Sequence, residues 1–151
     1  MVLYGEKNKG KKISYTMNKI LIGFDGSEGS KKALNRAMML LGEHGEIILL
    51  AVVPSPTDKT FVDINAYNFL KTKAKNLVYQ AVLELGEYDF KIKEMVEEGD
   101  PASVIIDVAN RLNVDLIVLG SKGQSELGQY LIGSVANKVV QYAAKPVMVV
   151  R

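Results

Sequence analysis

Asp115-Leu116-Ile117-Val118-Leu119-Gly120-Ser121-Lys122-Gly123-Gln124-Ser125-Glu126-Leu127-Gly128-Gln129-Tyr130-Leu131-Ile132-Gly133-Ser134 is the stretch on which the fold turns. After Asp115, Leu116 to Leu119 form a short apolar run without polar alternation, which is the pattern of a strand buried on both faces. The run ends in a glycine-punctuated segment spaced Gly-x2-Gly-x9-Gly-Ser, and Val135, Val139 and Val140 follow at helical spacing. Strand, loop and helix in that order are half of a parallel crossover unit. Glycines in the loop can take positive φ or let a backbone approach a ligand closely. The start of the helix presents N–H groups and a positive dipole end, which suits phosphate oxygens. Ser134 adds a hydroxyl and Lys122 a positive charge, but turn glycines with Ser134 as a plain N-cap are an equally good reading of the spacing.

The same alternation runs outward in both directions. Lys19-Ile20-Leu21-Ile22-Gly23-Phe24 is a first buried strand, stopped by Asp25-Gly26-Ser27. Leu34, Ala37, Met38 and Leu41 then recur at helical spacing until Gly42 and Gly45. A second strand, Glu46 to Val53, is cut off by Pro54-Ser55-Pro56, since proline neither donates to a ladder nor extends a helix. Leu70, Ala74, Leu77, Ala81 and Leu85 predict an amphipathic helix from about Asn65 to Glu87. Phe90, Ile92, Met95 and Val96 mark a third strand, charged enough to lie at a sheet edge. Asp100-Pro101 then reads as a cap followed by a first helical residue, with Val104, Ile105, Val108, Ala109 and Leu112 behind it. Pro146 to Val150 is the fifth strand. The pattern predicts a three-layer α/β/α domain with an open, mostly parallel sheet. Ligands of such sheets bind beyond the carboxyl ends of the strands, where the strand order reverses. Asp25 and the segment after Leu119 both fall there.

Composition narrows the chemistry. The chain has 151 residues, 48% of them apolar, no Cys and a single histidine, His44. Thiol catalysis, Cys-based zinc sites and multi-His metal centres within one chain are excluded. His44 reads as a surface residue or a partner for a helix C-terminus, and the Met38-Met39 pair as core filling. Residues 1–16 carry Lys7, Lys9, Lys11 and Lys12 against Glu6, so this flexible basic leader holds +3 of the total +2 and leaves residues 17–151 at −1. A near-neutral fold gives no support for nucleic-acid binding. No apolar run reaches the about 20 residues that span a bilayer, and the leader lacks the apolar core of a secretory signal, so the expected setting is the cytoplasm, without membrane association.

The glycine segment, the opening Lys19-Ile20-Leu21-Ile22-Gly23-Phe24-Asp25-Gly26-Ser27-Glu28, the step Glu98-Gly99-Asp100-Pro101-Ala102 and the closing Lys145-Pro146-Val147-Met148-Val149-Val150 together resemble the universal stress protein family over residues 17–151. The resemblance implies a five-stranded parallel sheet of order 3-2-1-4-5, the fold shared with adenine nucleotide alpha hydrolases, with a nucleotide between strands 1 and 4. It also implies the ATP-binding branch, because all three glycines and the serine are present. Asp25 would then meet adenine or ribose, beside Gly23, and Val52 would offer its main chain to adenine. Gly120, Ser121, Lys122 and Gly123 would line ribose and phosphates. Gly133, Ser134 and Val135 would hold phosphates at the helix start, with Mg²⁺ or Mn²⁺ shared between phosphate oxygens and water and no direct protein ligand.

Glu126 and Gln129 stand where relatives often carry basic residues, which implies weaker triphosphate binding or a preference for AMP or ADP. A Walker A loop and the Ser-Gly-Gly-x-Asp-Ser loop of ATP pyrophosphatases are absent, and no base or nucleophile stands out, so no residue is assigned a catalytic role and ATP hydrolysis would at most be slow. The expected function is a nucleotide-binding stress-response regulator that signals to a protein partner. A weak ATPase or phosphotransferase using Ser134 or Lys122, or a nucleotide-free dimeric scaffold, are the alternatives. Residues 146–150 form an apolar strand at an open sheet edge, and a homodimer pairing two such edges would remove the exposed ladder.

Overall fold

The computed structural model describes residues 2–4, 12–14, 17–55, 63–122 and 132–151. Five parallel strands form the main sheet: β3 (Met17–Gly23), β4 (Leu41–Val53), β5 (Lys91–Glu98), β6 (Leu116–Gly120) and β7 (Val147–Val150), in the order β5-β4-β3-β6-β7. Two short strands, β1 (Val2–Tyr4) and β2 (Lys12–Ser14), pair antiparallel in a separate ribbon within the segment read as a flexible leader. A lone two-stranded ribbon is marginal in water, so this pairing does not make the leader part of the domain core.

Four helices cover the sheet: α1 (Glu28–Leu40), α2 (Ile64–Glu84), α3 (Pro101–Arg111) and α4 (Ser134–Tyr142). The period of two along each strand divides the interior into two cores. Ile20 and Ile22 of β3, Ile47 and Leu49 of β4, and Leu116 and Val118 of β6 face Ala33, Leu34 and Ala37 of α1 and Val78 and Ala81 of α2. Leu21, Ile48, Leu50, Ile117 and Leu119 point the other way, onto Ile105 and Val108 of α3 and Ala136 and Val139 of α4. Strands buried on both faces are therefore apolar at every position, which is why they read as unbroken runs. Each fully buried Ile, Leu or Val contributes about 1.5–3 kcal/mol relative to exposure.

The central pair β3/β6 aligns Ile20 with Leu116 and Ile22 with Val118, joining segments far apart in the chain. Asp115 clips the N-terminal end of this seam: its Oδ2 accepts the amides of Asn18 and Lys19, each at 2.9 Å. The order reverses at β3, so β4 and β6 leave it in opposite directions and open a crevice at their carboxyl ends.

Three local readings change. The helix that Leu41 was read as continuing stops at Leu40, and Leu41 opens β4 by pairing with Met17. The register then jumps to Lys19 opposite Glu46, and the extra residues bulge, with His44 at φ 59°. His44 is thus an exposed bulge residue, not a partner of the helix end. Met39 is 75% exposed and fills no core, whereas Met38 packs against the α1/α2 core as expected.

Candidate functional site

The crevice is built at the ends of the strands. β3 runs out at Gly23, and the Phe24 amide donates to the Leu50 carbonyl at 2.8 Å, holding the chain against β4 for one more residue. The Asp25 carboxylate then accepts the Ser27 amide at 2.9 Å, closing a turn whose middle residue, Gly26, sits at φ 79°. Ser27, not Asp25, caps α1, through its Oγ on the Ser30 amide at 3.2 Å. This leaves Asp25 exposed at the crevice rim.

On the other side, β6 continues past its ladder. The Ser121 amide donates to the Val150 carbonyl at 2.8 Å, and the Ser121 carbonyl accepts the amide of Gly133. That second bond brings the start of α4 back to the end of β6, although eleven residues separate the two. Gly133 is the N-cap, in extended conformation and without a side chain to cap the helix, and Ser134 is the first helical residue. Ser134 is therefore not an N-cap. The first turn of α4 faces the crevice with its backbone donors uncovered by any capping side chain, the arrangement that favours anions.

Gly120 does not take positive φ. Its need for glycine comes from α1: a Cβ there would lie 2.5 Å from the carbonyl carbon of Gly29 and 2.7 Å from its oxygen. The missing side chain makes room for the protein's own backbone, not for a ligand.

These ends enclose a cavity of about 610 Å³, within the range of small-molecule sites. Gly23, Asp25, Val52, Gly120, Ser121, Lys122, Gly133, Ser134 and Val135 all line it. Gly123, and with it Glu126 and Gln129, lies outside the described residues. The structure adds wall residues that the motifs did not indicate: Ser27 and Ser30 of the α1 turn, Pro101 and Ile105 of α3, and Leu70, Lys73, Ala74 and Leu77 of α2. The α2 residues recur at helical spacing along its inner edge, but sequence alone does not say which end of the helix meets the cavity. Ser121 and Ser30 are the buried polar residues here. Lys73, Lys122 and Asp25 bring charged groups to the cavity lining. Among the described residues, no cluster of three or more His, Asp or Glu could hold a metal ion. No described helix is long and apolar enough to cross a membrane.

Below the cavity, Asp100 caps α3. Its Oδ2 accepts the Ser103 amide at 3.0 Å and the Ser103 hydroxyl at 2.7 Å, and meets Lys138 Nζ of α4 at 3.0 Å. The Ser103 hydrogen bonds, and then the Lys138 contact, lower its pKa to about 2. Pro101 occupies the first turn, where its missing N–H costs nothing.

A doubly wound α/β domain with a mixed polar and apolar cavity at its switch point, opening on a helix N-terminus, belongs to the class of folds whose ligands sit beyond the carboxyl ends of the strands. The universal stress protein family model matches residues 16–151, and the chain belongs to that family. It is 33% identical over 147 residues to universal stress protein YxiE of Bacillus subtilis, covering 89% of this chain and 99% of that one. The solved structure of MJ0577, from Methanocaldococcus jannaschii, superposes with a TM-score of 0.76 at 32% identity, over 90% of this chain and 96% of the other. A universal stress protein family protein from Arabidopsis thaliana, solved with AMP bound, shares the fold with a TM-score of 0.65 at 20% identity, over 88% of this chain and 90% of that one.

Proposed function

We propose that this protein is an adenine-nucleotide-binding regulator of the stress response, with the nucleotide held in the cavity between β3 and β6. One observation carries the reading: nine residues chosen from sequence motifs scattered between positions 23 and 135 line a single cavity at the switch point. The AMP-bound Arabidopsis relative supports the same ligand class.

In this reading each wall has one task. The first-turn amides of α4, the Ser134 hydroxyl and the Lys122 ammonium receive phosphate oxygens. Asp25 accepts a hydrogen bond from ribose or from the adenine amino group, and the Val52 main chain meets the adenine edge. The apolar α2 and α3 walls exclude water from the base. Mg²⁺ or Mn²⁺, where present, would neutralise phosphate charge, and the described donors suit a cation held through phosphate and water better than one held by protein side chains. Glu126 and Gln129 in the loop favour AMP or ADP over ATP. Occupancy would change the surface that the cavity mouth offers to a protein partner. Pairing of two β7 edges gives a homodimer, and a cytoplasmic setting belongs to the same proposal.

The test is to denature freshly purified protein, prepared without added nucleotide, and identify the released small molecules by mass spectrometry beside a Gly123→Val, Ser134→Ala variant. AMP, ADP or ATP released by the wild type alone is the expected result. Added AMP at 100 times its Kd should also stabilise the wild type by about 2.7 kcal/mol. If the wild type is empty and none of the three nucleotides raises its melting temperature, the reading fails and a nucleotide-free scaffold replaces it.

A further inference from the structure

Two helices, α3 and α4, bring their N-terminal turns to the cavity, and they are held unequally. α3 is seated by four buried residues, Ala102, Ile105, Val108 and Ala109, and its first turn is capped by the Asp100 side chain. α4 has nine residues, of which Ala136 and Val139 are buried, and its N-cap Gly133 has no side chain to bond the first turn. Two side chains three residues apart decide which face of α4 meets the core, but they grip it weakly against sliding or tilting. Shifts of about 1–2 Å between packed helices are a common mode of conformational change.

Polar ties supply what the packing lacks. The Gly133 amide donates to the Ser121 carbonyl at the end of β6. Lys138 stands four residues after Ser134, about 6 Å farther along the axis, and its Nζ donates to Asp100 Oδ2 at 3.0 Å. Asp100 is a firm post for that contact, because the same oxygen accepts the Ser103 amide at 3.0 Å and the Ser103 hydroxyl at 2.7 Å. The Ser103 bonds, and then Lys138, hold its pKa near 2, so the carboxylate is charged throughout the neutral range. Both partners of the pair are about half exposed, and pairs that exposed add little to stability. What the pair does is geometric: it ties the loosely seated helix to the cap of the firmly seated one.

We infer that Lys138 is a positioning residue, whose pair with Asp100 fixes the first turn of α4 where its amides reach a phosphate oxygen, and so sets affinity for the phosphate group and not for the nucleoside. The inference rests on the nucleotide site proposed above. Lys138 does not itself line the cavity, so it acts through α4 and not by contact. N–H···O bonds form at about 2.7–3.2 Å, so a displacement of the turn by about 1 Å loses them. The Val52 and Asp25 walls belong to the ends of other strands and stay where they are.

The test is calorimetric titration of AMP and of adenosine into the full-length wild type, Lys138→Met, Lys138→Arg, Asp100→Ser and the double variant Asp100→Ser, Lys138→Met. Serine keeps an N-cap oxygen for α3 but is too short to reach Lys138. Lys138→Met and Asp100→Ser should each weaken AMP by about tenfold, the equivalent of one charge-assisted hydrogen bond, and leave adenosine unchanged. Lys138→Arg should restore AMP binding, and the double variant should be no weaker than the weaker single one, since both changes sever the same tie. A charge acting through its field alone would behave differently: loss of Asp100 would strengthen AMP binding while loss of Lys138 weakened it. Undiminished AMP affinity in Lys138→Met, equal losses for AMP and adenosine, or tighter AMP binding by Asp100→Ser overturns the inference and leaves the nucleotide site standing. Where adenosine binds too weakly to titrate, the direction of the Asp100→Ser change decides. A wild type that binds neither ligand removes the nucleotide reading, and the inference with it.

Discussion

Gly120→Ala separates a packing glycine from a ligand-facing one. The new methyl would stand 2.5 Å from the Gly29 carbonyl carbon, 2.7 Å from the oxygen and 2.9 Å from the Cα. Carbon atoms rest at about 3.5–4.0 Å, so α1 must retreat from β6 by about 1 Å. No rotamer can relieve a backbone clash. Ala33, Leu34 and Ala37 hold α1 in the core and resist the retreat. Overpacking costs about 1–3 kcal/mol, and a rigid neighbour puts this site at the upper end. Alanine recovers about 0.4–1 kcal/mol by restricting the unfolded chain, for a net loss of about 2 kcal/mol. At about 2–4 °C per kcal/mol, the melting temperature should fall by about 4–8 °C. Gly23→Ala is the control: its Cβ would meet Leu119 Cδ2 at 2.8 Å and Ile105 Cδ1 at 3.0 Å, both ends of rotatable side chains. It should cost less than half as much in urea denaturation. A Gly120→Ala protein as stable as wild type but unable to bind AMP would refute the packing account and restore a ligand-facing role for this glycine.

The Asp100 carboxylate, ordinarily ionising near 3.8 and lowered to about 2 in the fold, contributes stability that is complete above about pH 4 and is lost as pH falls toward 2. Asp100→Asn keeps a capping oxygen but not the charge, so its denaturation midpoint should fall less steeply than that of wild type between pH 4 and 2; identical slopes would count against the Ser103 and Lys138 contacts as the cause. Leu49→Ala, at a fully buried core position, should cost about 2–5 kcal/mol, whereas Met39→Ala should stay within about 0.5 kcal/mol. A Met39→Ala loss as large as the Leu49→Ala loss would mean that Met39 is covered in solution. Removing residues 1–16 should leave the melting temperature unchanged, since β1 and β2 pair only with each other; a clear drop would place the ribbon against the domain.

Much of the fold was legible because its strands are buried on both faces. Ile20 to Ile22, Ile47 to Leu50 and Ile117 to Leu119 have no polar alternation to obscure them, and Asp100-Pro101 announces its helix with cap chemistry that acts over three residues. The switch-point rule pointed to Asp25 and the segment after Leu119, whereas the strand order and the cavity residues Gly23, Val52 and Val135 came from the family resemblance. The misreadings arose where a distant contact decides. Glycine at 120 reads as a loop feature, but Gly29, in a different element, is what requires it. Gly42 and Gly45 read as a stop between elements, whereas pairing of Leu41 with Met17 draws the chain straight from helix into strand. Gly133-Ser134 offers two residues either of which could cap, and only the backbone dihedrals choose between them. Lys73 is one of several lysines on α2, and its position at the cavity depends on how the helix lies across the sheet.

The seam between β3 and β6, clipped by Asp115, also determines the order of events in folding. β3, α1, β4, α2 and β5 are consecutive in the chain and can assemble by short steps, while β6 must find β3 across about a hundred residues, a closure that earns no contact energy until it is complete. The cavity straddles that seam, so it does not exist in a half-assembled chain. A molecule that fits it therefore cannot guide the chain inward. It acts as a latch on the finished domain, lengthening the lifetime of the native state while leaving the rate of reaching it untouched.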